Sequence, residues 1–250
     1  MSVPGRTLRA ICAAACAVAL VTGCPGTPKG GPAAAPTTSP PPPPFDVETV
    51  QALLLPPEGL GTGWKGYDWP YDGTLPALCT YLPEPLRKPG DQVEPKTPGD
   101  PQVLTVTAKA DVTDDGIGQE RPRFRFQFAL VYPDEDAAVA SLAELRAVAD
   151  ACPKKVHIPR WKQDGRTMAS YDEFVEVRPL TERDWPGFLV KRHPVYEKTT
   201  STSDNVALAV LQNRNLVLLL RYYALSSTRS DPAFDGEWDE FRTAVLARFA

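Results

Sequence analysis

The sequence predicts an α+β domain: an antiparallel sheet of about five to seven strands, helices packed mainly on one face, and one disulfide. Three observations lead there. In RFRFQFALV, residues 123–131, Phe124, Phe126, Phe128 and Leu130 face one way and Arg123, Arg125 and Gln127 the other, the period of a half-solvated antiparallel strand. Directly after it, Ala138, Leu142, Leu145, Ala149 and Cys152 recur on one helical stripe. Late in the chain, Val206, Leu208 and Val210 lead through NRN at 213–215 into Leu216–Leu220, a hairpin whose second strand is apolar on both faces and therefore central.

The chain opens with Arg6 and Arg9 ahead of an apolar run, 11–21. Spanning a bilayer takes about 20 apolar residues, so this run fits the hydrophobic region of a secretory signal instead. It ends in Val21-Thr22-Gly23-Cys24, which resembles a bacterial lipobox, with Val21 where leucine is commonest. The resemblance implies cleavage before Cys24 and a diacylglycerol on its thiol, hence a chain anchored at the outer face of the cell membrane. The plainer alternative is a secretory signal with an incidental cysteine. Residues 25–44, PGTPKGGPAAAPTTSPPPPP, lack the apolar bulk to fold, and Pro40–Pro44 favour an extended polyproline spacer. The expected organisation is a signal peptide over 1–23, a lipidated cysteine and tether over 24–44, and one folded domain over 45–250.

Charge narrows the partners. The whole chain carries a formal net charge of −4; Arg6 and Arg9 leave with residues 1–23, which contain no acid, so the mature form carries −6. No basic stripe is left to grip nucleic acid. Of five cysteines, Cys12 and Cys16 leave with the signal and Cys24 takes the lipid, so Cys79 and Cys152 remain. An exported pair favours a disulfide, which in the loop-entropy view contributes about 4 kcal/mol. The rival is a free catalytic thiol served by His157 or His193.

The remaining elements follow in order. Asp46 suits a helix cap, with Val47, Val50, Leu53 and Leu54 at helical spacing until Pro56-Pro57. Residues 58–101 are rich in Gly, Pro and aromatics and read as irregular. Residues 103–108 read as a strand, as do 173–178 and 187–192. Asp134, Glu135 and Asp136 suit the start of the helix that carries Cys152. Asp231 and Pro232 open a last helix with Phe234, Trp238, Phe241, Val245 and Phe249 on one stripe.

Taken together, the lipobox, the tether, LLLPPEGLGTGW, the early cysteine, FRFQFALVYPDEDAAVASLAELRAVADAC and NVALAVLQNRNLVLLLRYYA resemble actinobacterial envelope lipoproteins. Over roughly 46–250 they are similar to the extracellular sensor domain of PknH-type mycobacterial kinases. That resemblance implies an antiparallel sheet with packed helices and a ligand-binding groove of unassigned ligand. The kinase sensor domains carry two disulfides, whereas this chain supplies cysteines for one.

Motifs of chemistry are sparse. DVTDDG at 111–116 departs from a calcium loop at Thr113 and Pro122, and reads as a polar hairpin tip. No cofactor or metal is expected. GWKGYDWPYDG, residues 63–73, crowds Trp64, Tyr67, Trp69 and Tyr71, rings with polar tips of the kind recognition surfaces use. They either bind a ligand or anchor the loop to the core. The expected function is binding or sensing, without catalysis, of a small molecule, glycan or envelope lipid. The alternatives are a carrier of apolar envelope lipids, with cargo between sheet and helices, and a hydrolase of envelope polymers.

Overall fold

The computed structural model describes residues 42–69, 74–79, 82, 84–86, 95–114, 119–163, 165–196, 203–226 and 232–250. An eight-stranded antiparallel sheet organises them. Its strands are β1 (Lys65–Gly66), β2 (Gln102–Asp114), β3 (Gln119–Val131), β4 (Lys155–Ile158), β7 (Tyr171–Glu182), β8 (Trp185–Tyr196), β9 (Ser203–Asn213) and β10 (Leu216–Ser226), with β5 (Trp161–Gln163) and β6 (Arg166–Met168) forming a separate small hairpin. The order across the main sheet is β1-β2-β3-β10-β9-β8-β7-β4. Two of its strands, β1 and β4, are short edges that the sequence did not single out; β1 is two residues long, and the alternation of β4 spans four. The other six come from the expected runs, each lengthened at one end or both.

Three helices flank the sheet: α1 (Val47–Leu53), α2 (Glu135–Asp150) and α3 (Pro232–Arg248). Asp46 caps α1 by accepting the Thr49 amide at 2.7 Å, and Asp134 caps α2 through the Ala137 amide at 2.8 Å. The helices divide the core in two. On one face α1 and α3 pack Val50, Leu54, Phe234, Trp238, Phe241 and Val245 onto Ala129, Ala209, Leu218 and Leu220. On the other, α2 packs Ala138, Leu145 and Ala149 onto Phe128, Leu130, Phe188, Val210 and Leu219. Alternation along a central strand sends successive residues into opposite cores, which explains why Leu216–Leu220 is apolar throughout.

The polar side of β3 departs from expectation. Arg125 and Gln127 are buried, not solvated. Gln127 accepts the Leu55 amide at 2.9 Å and donates to the Leu55 carbonyl at 2.7 Å, so it serves the backbone just past α1. Arg125 donates to the Leu60 carbonyl at 3.3 Å and lies 4.2 Å above the Trp64 ring. Alternation marks two faces as different; here the polar one is covered by α1, the following turn and α3.

The segment over 58–101 contains short 3-10 turns at Pro57–Leu60 and Glu84–Leu86, and a bridge between Thr74 and Lys96. Cys79 and Cys152 form a disulfide across 73 residues, tying this segment to the C-terminal end of α2. Residues 111–114 of the expected polar tip instead extend β2, which pairs with β3 as far as Asp114 and Gln119, while 115–118 lie outside the described residues. Cys24, the signal and the tether up to Pro41 also lie outside them. Residues 42–250 form one compact unit containing both cores and the disulfide, so this segment holds its own folding determinants. No helix among the described residues is long and apolar enough to cross a membrane.

Candidate functional site

Among the described residues, α2 covers only part of its face of the sheet. The helix shields the end of the sheet near the β9–β10 turn, where Val217, Leu219, Val210 and Leu130 are fully buried. Past that point no helix among the described residues covers the sheet, and a cavity of about 500 Å³ opens. Its floor is Phe126, Phe128, Arg221, Tyr223, Val206 and Arg192, from strands β3, β10, β9 and β8. One wall is the segment Thr74–Ala77, the stretch fastened by the disulfide. The opposite side is the β5–β6 hairpin, through Trp161, Gln163 and Met168. Tyr171, Pro194 and Tyr196 close the end. The cavity thus lies between sheet, loop and hairpin.

The four aromatic residues of 63–73 do not act as one group. Tyr67 and Trp69 stand together, ring centroids 6.3 Å apart, and are 37% and 46% exposed. Tyr67 meets Phe124 edge-on at 5.3 Å, and Trp69 meets Phe126 edge-on at 5.5 Å. Trp69 lines the cavity. Trp64 belongs to the opposite face, half-buried beneath Arg125. Tyr71 lies outside the described residues.

The cavity also holds charge that motif reading missed. Arg192 donates through Nε and Nη2 to Glu173 Oε1 at 3.1 and 3.0 Å, both side chains almost wholly buried. The remaining nitrogen, Nη1, reaches the Ala77 carbonyl at 3.4 Å and so ties the pair to the wall. Glu173 Oε2 is buried without a hydrogen-bond partner. Arg221 stands on β10 directly opposite Phe126, whose ring centre is 5.3 Å from its guanidinium carbon. Its Nε is withdrawn from solvent and has no partner. Burial first, and then the neighbouring Arg192 charge, pulls its pKa down to about 10, with Tyr223 acting the other way. It therefore stays charged at neutral pH.

The histidines sit elsewhere. His157 Nδ1 lies 2.8 Å from Asp172, beside the Lys155–Asp172 ion pair at 2.7 Å. These contacts hold the Asp172 carboxyl below its usual range, Lys155 acting most and His157 next. His193 stacks on Phe174 at 5.3 Å. With Cys152 bonded to Cys79, neither histidine serves a thiol. Among the described residues, no three His, Cys, Asp or Glu side chains converge on a common point.

These features define a single α+β domain with a sheet-floored cavity of mixed aromatic and cationic lining. Among solved structures, it is similar to the crystal structure of the extracellular domain of PknH from Mycobacterium tuberculosis, at 12% identity and a TM-score of 0.44, over 82% of this chain and 96% of that one. No protein-family model and no curated protein matches the sequence.

Proposed function

We propose that the chain is an extracytoplasmic binding or sensing lipoprotein, anchored through Cys24 at the outer face of the cell membrane, and that its ligand occupies the cavity above Arg221 and Phe126. The observation that carries this reading is the part of the sheet face that no helix among the described residues covers. A strand face that continues a buried core past the end of its covering helix costs stability unless something else covers it. Its rim keeps Trp69 and Met168 exposed, 46% and 37%. The volume suits a small organic ligand. The disulfide and the lipobox-like leader support an oxidising compartment.

Binding is favoured over the two alternatives by the same lining. Glu173, the one carboxylate that lines the cavity among the described residues, is held by Arg192, which leaves no free pair for glycoside hydrolysis. A wholly apolar cargo would strand the Arg221 charge, which argues against a carrier of uncharged lipid.

Native mass spectrometry of the domain purified from its own envelope tests the reading. A bound small molecule that is lost from Trp69→Ala, with the melting temperature held within a few degrees, is the expected result. An empty wild-type cavity and no ligand-induced change in tryptophan fluorescence across an envelope extract would refute it. The anchor is tested apart: Cys24→Ser should abolish palmitate incorporation, and label that persists in that variant removes the anchor.

A further inference from the structure

We propose, on the reading that the cavity is the ligand site, that its ligand is an amphipathic monocarboxylic acid: the carboxylate pairs with Arg221, the apolar body lies along Phe126 and Trp69, and a distal hydroxyl donates to Glu173 Oε2. The starting point is β10. Val217 and Leu219 are fully buried on the cavity face, and the next residue on that face is Arg221. The apolar alternation calls for another aliphatic residue there. An arginine instead places a charge against Phe126, with Leu208 beside it on β9.

The molecule shows how it treats a buried arginine that serves structure. On the opposite face, Arg125 donates to the carbonyls of Leu60 and Glu237 at 3.3 and 3.5 Å and is sandwiched among Trp64, Tyr222 and Phe241. Arg221 has no such carbonyls. Among the described residues its buried Nε has no hydrogen-bond partner, and its guanidinium lies over the Phe126 ring. Arg192 cannot be the vacant cation, because Glu173 neutralises it. Two arginines against one glutamate leave the cavity one positive charge, which a monoanion balances.

The open edge of a guanidinium, Nε with one Nη, matches the two oxygens of a carboxylate. Glu173 Oε2 adds the second half of the pattern: a buried acceptor facing a site without a donor. From the register, Arg221 and Glu173 are three strands and four residues apart, roughly 20 Å between Cα positions. Their long side chains shorten that span. The ligand therefore carries its acid and its hydroxyl at opposite ends of an apolar body, not on adjacent carbons.

The test uses residues 42–250, which hold both cores and the disulfide, with four ten-carbon probes: decanoate, 10-hydroxydecanoate, decan-1-ol and decyl phosphate. Calorimetry should show decanoate bound about tenfold or more tighter than decan-1-ol, and 10-hydroxydecanoate tighter still. Arg221→Met, an apolar side chain suited to the same strand, should keep the melting temperature and lose the preference for acid over alcohol. Arg221→Gln serves if the methionine variant misfolds. Equal binding of acid and alcohol, or an unchanged preference in the Arg221 variants, overturns the proposal. A gain for decyl phosphate over decanoate overturns the carboxylate in favour of a phosphate. A hydroxyl that weakens binding removes Glu173 from the site. If no probe binds while native mass spectrometry still finds a ligand, the chemical class is wrong and the binding reading stands; if both are empty, the binding reading itself falls.

Discussion

The Asn215 side chain and the Phe45 backbone, 170 residues apart, exchange two hydrogen bonds: the Phe45 amide donates to Asn215 Oδ1 at 2.7 Å, and Asn215 Nδ2 donates to the Phe45 carbonyl at 2.9 Å. The same Nδ2 reaches the Tyr132 carbonyl at 2.9 Å. One side chain at the β9–β10 turn thus stitches the start of the folded chain to the centre of the sheet. Asn215→Ala leaves three buried backbone groups short of a partner and should cost about 2–3 kcal/mol. Urea denaturation measures it, and a change under about 0.5 kcal/mol would show that water takes over these bonds.

The disulfide offers a cleaner comparison. Cys79→Ala and Cys152→Ala remove the same cross-link and should destabilise to the same extent, by about 2–5 kcal/mol, with the double variant no worse than either single one. Because Arg192 leans on the Ala77 carbonyl two residues before Cys79, loss of the bridge should also weaken ligand binding. Alkylation followed by intact-mass measurement confirms the state of the thiols.

Gly187 on β8 permits a close approach of β9. A Cβ there would overlap the Val210 carbonyl oxygen and crowd Leu211. The atom in the way is backbone, so the strand pair must shift. Gly187→Ala should destabilise by about 1–3 kcal/mol in thermal and urea melts.

Acid should act through Asp172. Its carboxyl is held below 3.8 by Lys155 and His157. A carboxyl depressed in the folded state contributes stability that is present above its unfolded value and lost as the pH falls through its folded one. Lys155→Ala should raise the Asp172 midpoint toward 3.8, as read by carboxyl carbon chemical shifts, and the junction of β4 with β7 should loosen at a higher pH than in the wild type. An unmoved midpoint would assign the shift to another cause.

What was legible in the sequence is what local periodicity encodes. The cap at Asp46, the acidic start of the helix that carries Cys152, the stripes of the last two long helices and the turn after Asn213 all follow from spacing and residue chemistry within a few turns of chain. Edge strands β1 and β4 and the β5–β6 hairpin were not legible, since segments of two to four residues are too short for alternation to mark them. The site was legible in part. Trp69 stands out as a ring in a loop, but nothing local separates it from Trp64, which the sheet sends to the other face. Glu173 and Arg192 are 19 residues apart, and only the β7–β8 register makes them partners. Arg221 did leave a signal: an arginine directly after five apolar residues on a strand buried on both faces.

The latch at Asn215 has a mechanical consequence. Along β10, Arg221 lies six residues beyond Asn215, roughly 20 Å away. The chain therefore enters the sheet at one pole, and the cavity opens toward the other. Any load carried by the residues before Phe45 arrives at the β9–β10 turn, where three hydrogen bonds and the Phe45–Trp185–Phe249 aromatic cluster take it up. The rim of the cavity, with Trp69 and the β5–β6 hairpin, lies outside that load path, so a domain held by its N-terminal end keeps its mouth free to fill and empty.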